Sequence, residues 1–351
     1  MTLSKILDNK EIYNMAKNSI GDCLNNFDKQ CDHALFLGRN LCINLHHNVD
    51  FIFLCGVGGS GLAGDFIRNI SLQYGITPIF VIRNYTLPHF ATEKSLIFII
   101  SYSGNTEETL NCYEAAKKLK APLVAVSSGG NLGDLAKKDG TYLIEIPCGF
   151  QPRMATLYMA LPVLLLLNNE KIIDLPQEEI GEIYFNLCIL KKKWGFSTPA
   201  IKNRAKATAL QLYGKMPIIW GSEDLTDAGA KNMKSQLNET AETPCFCGAI
   251  PEVNHNEIMS FGNKNRNFVL LMFRDKKEHP RIAQRFEISE NMLKEQVEKI
   301  VTFTAQGNSF LSRLTESIYF GDLVGYYLSI LNKVNPEEIA MITSFKARML
   351  R

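Results

Sequence analysis

The sequence lacks several features that mark common classes of protein. Its longest uninterrupted apolar run, residues 157–167, contains a proline and is far shorter than the ~20 residues that a helix needs to cross a bilayer. Its charges are nearly balanced, with 38 basic and 36 acidic residues, so it lacks the basic footprint of nucleic-acid-binding proteins. Near its start, polar and acidic residues interrupt any apolar core of a signal peptide. We therefore expect a cytoplasmic protein that binds neither membranes nor nucleic acid.

The nine cysteines include no C-x-x-C pair, and their number is odd. Several lie inside apolar runs, such as Cys55 in FIFLCG and Cys188 in FNLCIL. This distribution is typical of buried free thiols in a reducing compartment rather than of a disulfide framework.

Two series of strands and helices follow one another along the chain. Short β-branched or aromatic runs alternate with helical stretches, first from FIFLCG to TYLIEIP and then from MPIIWGS to KIVTFTAQ. Because these runs are continuously apolar, the alternation predicts an α/β fold with parallel strands covered on both faces. We predict two tandem domains, each a parallel sheet flanked by helices. The predicted parts are a helical N-terminal segment, the first domain, the second domain and a C-terminal helix, at residues 1–45, 46–192, 193–332 and 333–351.

Glycine and hydroxyl residues are concentrated in turns that follow strands of the first series. GVGGSGLAGD contains Gly59 and Ser60, and SYSGNTEET has four hydroxyls within nine residues, namely Ser101, Ser103, Thr106 and Thr109. In parallel α/β sheets, ligands bind beyond the carboxyl ends of the strands, where helix N-termini offer unpaired N–H groups and positive potential. Glycines allow the backbone to come close, and each charge-assisted hydrogen bond contributes about 1.5–3 kcal/mol. The pattern predicts a phosphate site built from these turns.

Two alternatives compete with this interpretation. Serine, threonine and glycine are common in turns and N-caps, and for Ser127 and Ser128 in the SSGGN turn we favour that ordinary role. The stretch GVGGSG, starting at Gly56, also matches the dinucleotide motif G-x-G-x-x-G, and Arg83 after the next strand would suit a phosphorylated nicotinamide cofactor. That motif alone is weak evidence, and a dinucleotide does not explain the hydroxyl-rich turn after SLIFII. One phosphate monoester explains both turns.

Four motifs together resemble the sugar-isomerase (SIS) fold family and, within it, the bifunctional phosphoglucose/phosphomannose isomerases. These motifs are GVGGSG, SYSGNTEET, QPR at residues 151–153 and NHNE at residues 254–257. The similarity spans nearly the whole chain and implies two tandem SIS-type domains and a homodimer with a shared active site. It implies phosphate-binding roles for Gly59, Ser60, Ser101, Ser103 and Thr106. It also implies that Arg153 lies near the reacting C1–C2 unit, that Glu239 is the catalytic base, and that His255 opens the sugar ring with the assistance of Lys346.

The resemblance implies an aldose–ketose isomerase that interconverts glucose 6-phosphate and fructose 6-phosphate, and also mannose 6-phosphate, through a cis-enediolate. Such chemistry needs one carboxylate that reaches both carbons, a preorganised donor for the anionic oxygen, and a histidine to open the ring. Neither a metal nor a redox cofactor is required. Cys245, Cys247, His255 and Glu257 are close in sequence, but their spacing fits no standard structural zinc pattern. We therefore expect no metal and no cofactor.

From the residues alone, each catalytic candidate has an ordinary alternative. Glu239 could be a solvated helix end, His255 a loop residue or helix cap, and Arg153 half of a surface ion pair. Lys346 lies in a basic helix C-terminus, which the helix dipole favours in any protein.

The stretch before the terminal lysine, NPEEIAMITSFK, departs from the family. Glu337 and Glu338 stand where relatives tend to carry small residues, and Thr343 lies nearby. In relatives a small hydroxyl residue here makes space for mannose 6-phosphate, so the resemblance implies turnover of this substrate less firmly than that of glucose 6-phosphate. Two other functions stay open, namely a non-catalytic SIS-type sugar-phosphate sensor and an isomerase for an aminosugar or pentose phosphate. A sensor would bind without turnover and usually carries a DNA-binding module, which the sequence does not suggest.

Overall fold

The computed structural model describes residues 2–9, 12–13, 19–45 and 49–349. Contacts between residues divide the chain into two compact units. The first unit comprises residues 26–188 and 307–314, and the second comprises residues up to 25, 189–306 and those from 315 onward. The predicted boundary at residue 46 lies outside the described residues.

Within the described residues, three helices precede the first strand: α1 (Leu3–Leu7), α2 (Ser19–Asn25) and α3 (Phe27–Gly38). Helix α3 buries Phe27, Cys31 and Ala34, which share one face, and Gln30 Nε2 donates to Met154 O at 2.9 Å. The contact grouping therefore differs from the predicted division, because α1 and α2 belong to the second unit whereas α3 packs within the first.

The first unit contains a five-stranded parallel sheet in the order β2-β1-β3-β4-β5. Its elements are β1 (Phe51–Cys55), α4 (Gly59–Tyr74), β2 (Ile79–Ile82), β3 (Ser95–Ile100), α5 (Glu107–Leu119), β4 (Leu123–Ser127), α6 (Gly130–Asp139) and β5 (Tyr142–Glu145). Every residue of β3 is buried, as expected for a central strand covered on both faces.

Two longer helices follow the first sheet, α7 (Thr156–Asn169) and α8 (Gln177–Trp194). A short 3-10 turn, Pro152–Met154, leads into α7. All of residues 156–167 are buried, which is why this stretch is apolar around its whole circumference rather than on one face.

The second unit contains a four-stranded parallel sheet in the order β7-β6-β8-β9. The remaining elements are α9 (Arg204–Leu212), β6 (Met216–Ser222), α10 (Asp227–Glu239), β7 (Phe246–Ile250), β8 (Asn265–Arg274), α11 (Pro280–Leu293), β9 (Val297–Thr304), α12 (Phe310–Asn332) and α13 (Ala340–Met349). With β6 in the place of β1, this order repeats that of the first four strands of the other sheet. The predicted fold class is thereby confirmed.

The terminal helix α13 begins at Ala340, whereas the predicted C-terminal helix was placed at residues 333–351. None of the described helices is both long enough and apolar enough to cross a membrane.

Candidate active site

The strand order of the first sheet creates a topological switch point between β1 and β3. After β1 the chain moves to β2 on one side, and it then returns to the other side of β1 to form β3. Ligands of open α/β sheets bind at such a point, beyond the carboxyl ends of the two strands. The turns that follow β1 and β3 are the glycine-rich turn before α4 and the hydroxyl-rich turn 101–106.

Three helices begin at this edge of the sheet, and none has a side-chain N-cap. The N-cap residues are Gly58 for α4, Thr106 for α5 and Gly129 for α6, and no hydrogen bond joins their side chains to the first turn. The first N–H groups of a helix lack partners within the helix and carry its positive dipole end. In α6 two of these groups already have partners, because Asn131 N donates to Asn105 Oδ1 at 3.1 Å and Leu132 N donates to Gly104 O at 2.9 Å. An anion is therefore the expected partner at the first turns of α4 and α5.

The hydroxyls of the turn after β3 divide into inward and outward groups. Ser101 is 1% exposed and its Oγ donates to Thr106 Oγ1 at 3.1 Å, while Thr109 Oγ1 donates to Thr106 O at 2.8 Å. Ser103 is exposed and accepts from the backbone N–H of Asn105 at 3.3 Å. Ser103 and Thr106 are thus the outward hydroxyls, and Ser101 orients Thr106.

Ser60 links the turn after β1 to the turn after β3. Its hydroxyl is buried, accepts from the backbone N–H of Tyr102 at 3.2 Å and donates to Met159 Sδ at 3.3 Å. The hydroxyl therefore holds the two turns together, while the backbone of Ser60 lies in the first turn of α4.

Gly59 allows Arg153 to lie beside the first turn of α4. A Cβ atom at Gly59 would lie 2.8 Å from both C and O of Pro152 and 2.9 Å from N of Arg153, closer than real side chains allow. Arg153 itself is only 2% exposed, which contradicts the surface ion pair that was its ordinary alternative. Gly59, Ser60 and Arg153 are thus brought together within the first unit.

The sequence reasoning missed Tyr102, which lies between the serines of the SYS motif. Its hydroxyl donates to Pro147 O at 3.0 Å and accepts from the backbone N–H of Phe150 at 2.8 Å, so it ties the 147–150 loop to the turn. Only its position inside the hydroxyl-rich motif could have indicated this role.

The turn after β4 supports the turn after β3. Ser128 Oγ donates to Tyr102 O and Ser127 Oγ donates to Gly129 O, each at 2.7 Å. Both hydroxyls are therefore used in backbone hydrogen bonds, in line with the ordinary turn role favoured for them. Gly104 has a φ of +68° and faces Gly129 so closely that a Cβ atom would overlap the carbonyl oxygen of Gly129.

Arg83, the residue that could have suited a phosphorylated dinucleotide, already has an acidic partner. Its guanidinium pairs with Asp65, which is 4% exposed, and donates to Gly61 O at 3.0 Å. Because these contacts neutralise the guanidinium, they argue against the dinucleotide alternative.

The corresponding switch point of the second sheet, between β6 and β8, has a different chemistry. Thr226 Oγ1 accepts from Ser222 N and donates to Phe273 O, each at 2.7 Å, which joins the two strand ends directly. Asp227 and Asp275 are buried beside these ends. Carboxylates repel a phosphate, so of the two switch points only that of the first unit is a candidate phosphate site.

Glu239 is the last residue of α10 and lines a cavity of about 620 Å³. Two further carboxylates, Glu242 and Glu338, line the same cavity, but both are exposed whereas Glu239 is half-buried. The cavity is otherwise lined by Asn238, Thr243, Pro244, Ile339, Ala340, Met341 and Ile342. Glu338, in the stretch before the terminal lysine, therefore lines the same cavity as the candidate base. The neighbouring Glu337 accepts a hydrogen bond from Ser19 Oγ at 2.6 Å.

His255 lies at the opposite edge of the second sheet from Glu239. It is exposed and follows the 3-10 turn Glu252–Asn254, just after the end of β7. Because β6 and β7 are parallel, α10 must run back along the sheet, and Glu239 is at the edge where β7 begins. The five residues of β7 alone separate the two edges by roughly 16 Å, at about 3.3 Å per residue. The second unit of one chain does not bring Glu239 and His255 together.

Lys346 is exposed on α13, a helix without a buried residue. The same helix exposes the large apolar side chains of Met341, Phe345 and Met349, which are 88%, 65% and 56% accessible. They recur every four residues and so form one apolar face that nothing within the described part of the chain covers.

Within the residues that the structure describes, no group of three or more His, Cys, Asp or Glu side chains could hold a metal. Burial raises the pKa of Cys247 to about 12 and also raises that of Cys245, so both thiols stay protonated and are poor ligands.

Comparison with known proteins gives one consistent result. Residues 201–349 match the family described as the bacterial phospho-glucose isomerase C-terminal SIS domain. A bifunctional phosphoglucose/phosphomannose isomerase from Caldicellulosiruptor bescii is 34% identical over 328 residues, which cover 92% of this chain and 97% of that protein. One from Aquifex aeolicus is 33% identical over 302 residues, or 85% of this chain and 90% of that protein. A hypothetical protein from Thermus thermophilus shares the fold, with a TM-score of 0.75 at 14% identity over 99% of this chain and 94% of that one.

Proposed function

Because the chain belongs to the family of bifunctional phosphoglucose/phosphomannose isomerases, we propose that it interconverts glucose 6-phosphate and fructose 6-phosphate, and also mannose 6-phosphate. The observation that carries this proposal beyond family membership is the switch point of the first sheet. The N-termini of α4 and α5, which have no side-chain caps, meet outward hydroxyls there, which is the chemistry that a phosphate monoester requires.

The phosphate is bound by the first turns of α4 and α5. The backbone of Gly59 and Ser60 and the hydroxyls of Ser103 and Thr106 donate to its oxygens, and Ser101 orients Thr106. No lysine is needed, because the dipoles of the helices supply the positive potential.

Glu239 removes a proton from one carbon of the open-chain sugar and returns it to the neighbouring carbon. The electron pair passes to the adjacent carbonyl oxygen and gives a cis-enediolate, which Arg153 stabilises through its charge. A proton also passes from the hydroxyl of the first carbon to the former carbonyl oxygen, so that the second transfer leaves a carbonyl at the first carbon. His255 opens the ring by moving a proton between the ring oxygen and the hydroxyl of the anomeric carbon, and Lys346 assists it. The half-buried position of Glu239 supports it as the base over Glu242 and Glu338, which are both exposed.

The enzyme acts in the cytoplasm as a homodimer in which His255 serves the site of the other subunit. Two observations support the dimer. Glu239 and His255 lie at opposite edges of one sheet, so one substrate can meet both only if they come from different copies. Helix α13 also exposes an apolar face, as expected of a segment that a second copy covers.

A coupled assay with the 6-phosphates of glucose, mannose and glucosamine, and with arabinose 5-phosphate, tests the activity. We expect turnover of the first two substrates. Binding without turnover would support the sensor, and turnover of glucosamine or arabinose phosphate alone would support an isomerase of different specificity.

Three carboxylates in one cavity provide a matched test of the base. Glu239→Gln should lower kcat by about 100-fold or more, because a general base contributes roughly 10²–10⁴-fold. Glu242→Gln and Glu338→Gln, which change the same cavity by the same chemistry, should retain activity. Full activity of Glu239→Gln would contradict the assignment.

Mixing two impaired variants tests the shared site. When Glu239→Gln and His255→Ala dimers exchange subunits, half of the dimers are mixed and each mixed dimer has one intact site. Activity should therefore recover to about a quarter of the wild-type value. If both residues act within one subunit, every site in a mixed dimer stays damaged and no activity returns.

A further inference from the structure

Helix α10, which ends at Glu239, carries a buried row of polar side chains. Asn232, Gln236 and Thr240 follow at four-residue spacing, so they lie above one another on a single face of the helix. All three are 0% exposed, and the first two contact Asp322 of α12, which is 1% exposed. Polar side chains are uncommon at such positions unless hydrogen bonds satisfy them.

One carboxylate oxygen organises this row. Asp322 Oδ1 accepts from Asn232 Nδ2 and from Gln236 Nε2, both at 2.8 Å. Because Oδ1 accepts the NH₂ group of Gln236, the carbonyl oxygen of the same amide points in the other direction. That oxygen accepts from Thr240 Oγ1 at 2.9 Å. The acceptor oxygen of Asp322 therefore sets the direction of hydrogen bonding as far as Thr240.

Close packing of the two helices leaves this row little freedom to move. A Cβ atom at Gly325 of α12 would lie 2.9 Å from Gln236 Cβ, and one at Gly321 would lie 3.0 Å from Met233 Cβ. The backbone of α12 thus contacts α10 directly at the level of Gln236. There is therefore no space in which Gln236 could reorient alone, and a change in its orientation must also shift Thr240, to which it is hydrogen-bonded.

The row ends beside the proposed base. Thr240 immediately follows Glu239, and its backbone N–H donates to Gln236 O at 2.9 Å. Just beyond it, Asn332 Nδ2 at the end of α12 donates to Ala241 O at 2.7 Å and to Thr243 Oγ1 at 3.0 Å. Helix α12 therefore holds the last turn of α10 on one side, while Glu239 lines the cavity on the other.

Stability alone does not require such a row. Replacing a buried charge and its partners by well-packed apolar side chains is often neutral or stabilising. The row contributes orientation instead, because hydrogen bonds are directional and define the rotation of the last helical turn more narrowly than apolar contacts do.

We propose that Asp322 is a positioning residue for the base, which it orients through Gln236 and Thr240. The proposal rests on the proposed function, in which Glu239 transfers the proton. A base must lie within hydrogen-bond reach of the carbon-bound proton, and a misplacement of about 1 Å can lower the rate about 100-fold.

Thr240→Val tests the proposal, because valine keeps the shape of threonine and removes only the hydroxyl. The matched control is Thr226→Val, at the other end of α10, where an equally buried hydroxyl makes two hydrogen bonds. We expect Thr240→Val to lower kcat by about 10- to 100-fold with KM within about twofold of wild type. The control should lose stability while its kcat stays close to the wild-type value.

Asp322 itself is tested by a pair of substitutions. Asp322→Asn keeps an acceptor oxygen and should retain most of kcat, whereas Asp322→Ala should lower it as Thr240→Val does. If Asp322→Ala does not fold, Thr240→Val still tests whether the row positions the base. The proposal is overturned if Thr240→Val keeps the wild-type kcat or lowers it no more than Thr226→Val. If Glu239→Gln is inactive in the same series, that outcome refutes the positioning role alone, whereas an active Glu239→Gln refutes the base and this inference together.

Discussion

Alanine at Gly104 should damage the proposed phosphate site far more than alanine at Gly140, although the two glycines have nearly the same φ. Their φ angles are +68° and +69°, in the left-handed region that side chains disfavour. A Cβ atom at Gly140 would meet nothing within 4 Å, whereas one at Gly104 would overlap Gly129 O and lie 3.0 Å from Ser127 Oγ. The pair therefore separates backbone strain from the contact between the two turns.

The left-handed conformation costs an alanine about 1–2 kcal/mol at either position. Only at Gly104 must neighbouring backbone also move, and overpacking of this kind costs about 1–3 kcal/mol. We therefore expect the free energy of unfolding to fall by roughly 1–2 kcal/mol in Gly140→Ala and by roughly 2–5 kcal/mol in Gly104→Ala.

Urea unfolding, analysed by linear extrapolation, measures the two losses, and the KM for glucose 6-phosphate measures the effect on the site. Gly104→Ala should raise KM, because the displaced turn carries Ser103 and Thr106, while Gly140→Ala should leave KM unchanged. Equal losses of stability and an unchanged KM in both variants would show that the contact between the turns after β3 and β4 does not constrain the site.

Two further predictions concern the first unit. Gly59→Ala should separate Arg153 from the first turn of α4 and lower kcat/KM. The control is Gly133→Ala, also in a helix, where a Cβ atom would meet nothing within 4 Å. It should keep activity and gain about 0.5–1 kcal/mol of stability. Steady-state kinetics and urea unfolding check both variants, and normal kcat/KM in Gly59→Ala would contradict the argument. Burial alone would raise the pKa of Glu170, but hydrogen bonds from the Cys42 thiol and from backbone N–H groups of residues 43–45 outweigh it and lower this pKa below 4.5. A carboxyl with a lowered pKa stabilises the fold above its unfolded pKa and loses that contribution as the pH falls, so Glu170→Gln should be less stable than wild type at neutral pH and the difference should shrink below pH 4.5. A difference that grows in acid would refute this reasoning.

The strands and the positions of the turns that follow them could be predicted because their signals are local. FIFLCG, SLIFII and MPIIWGS became β1, β3 and β6, and the turns after β1 and β3 occupy the switch point where a ligand was expected. Continuous apolar runs and turn residues of limited conformational range specify such features within a few residues of sequence.

The partners of the hydroxyls could not be predicted from composition. SYSGNTEET has four hydroxyls, yet those of Ser101 and Thr109 are turned inward and only Ser103 and Thr106 face outward. Ser60 is proposed to bind phosphate through its backbone N–H, while its hydroxyl joins Tyr102 to Met159. A hydroxyl can donate and accept in many directions, so its partner is chosen by residues that are remote in sequence.

The sequence by itself determined the order of the elements, the two tandem parallel sheets and the residue types of the site, because periodicity and turn chemistry are properties of short segments. Only the tertiary structure decided that Glu239 and His255 lie at opposite edges of one sheet and that Asp322 lies against the helix of the proposed base. Asp322 is 83 positions away from Glu239 along the chain, inside a helix whose sequence shows no sign of function. Such pairings arise when parallel strands and their crossover helices bring distant segments together, and no local pattern encodes them.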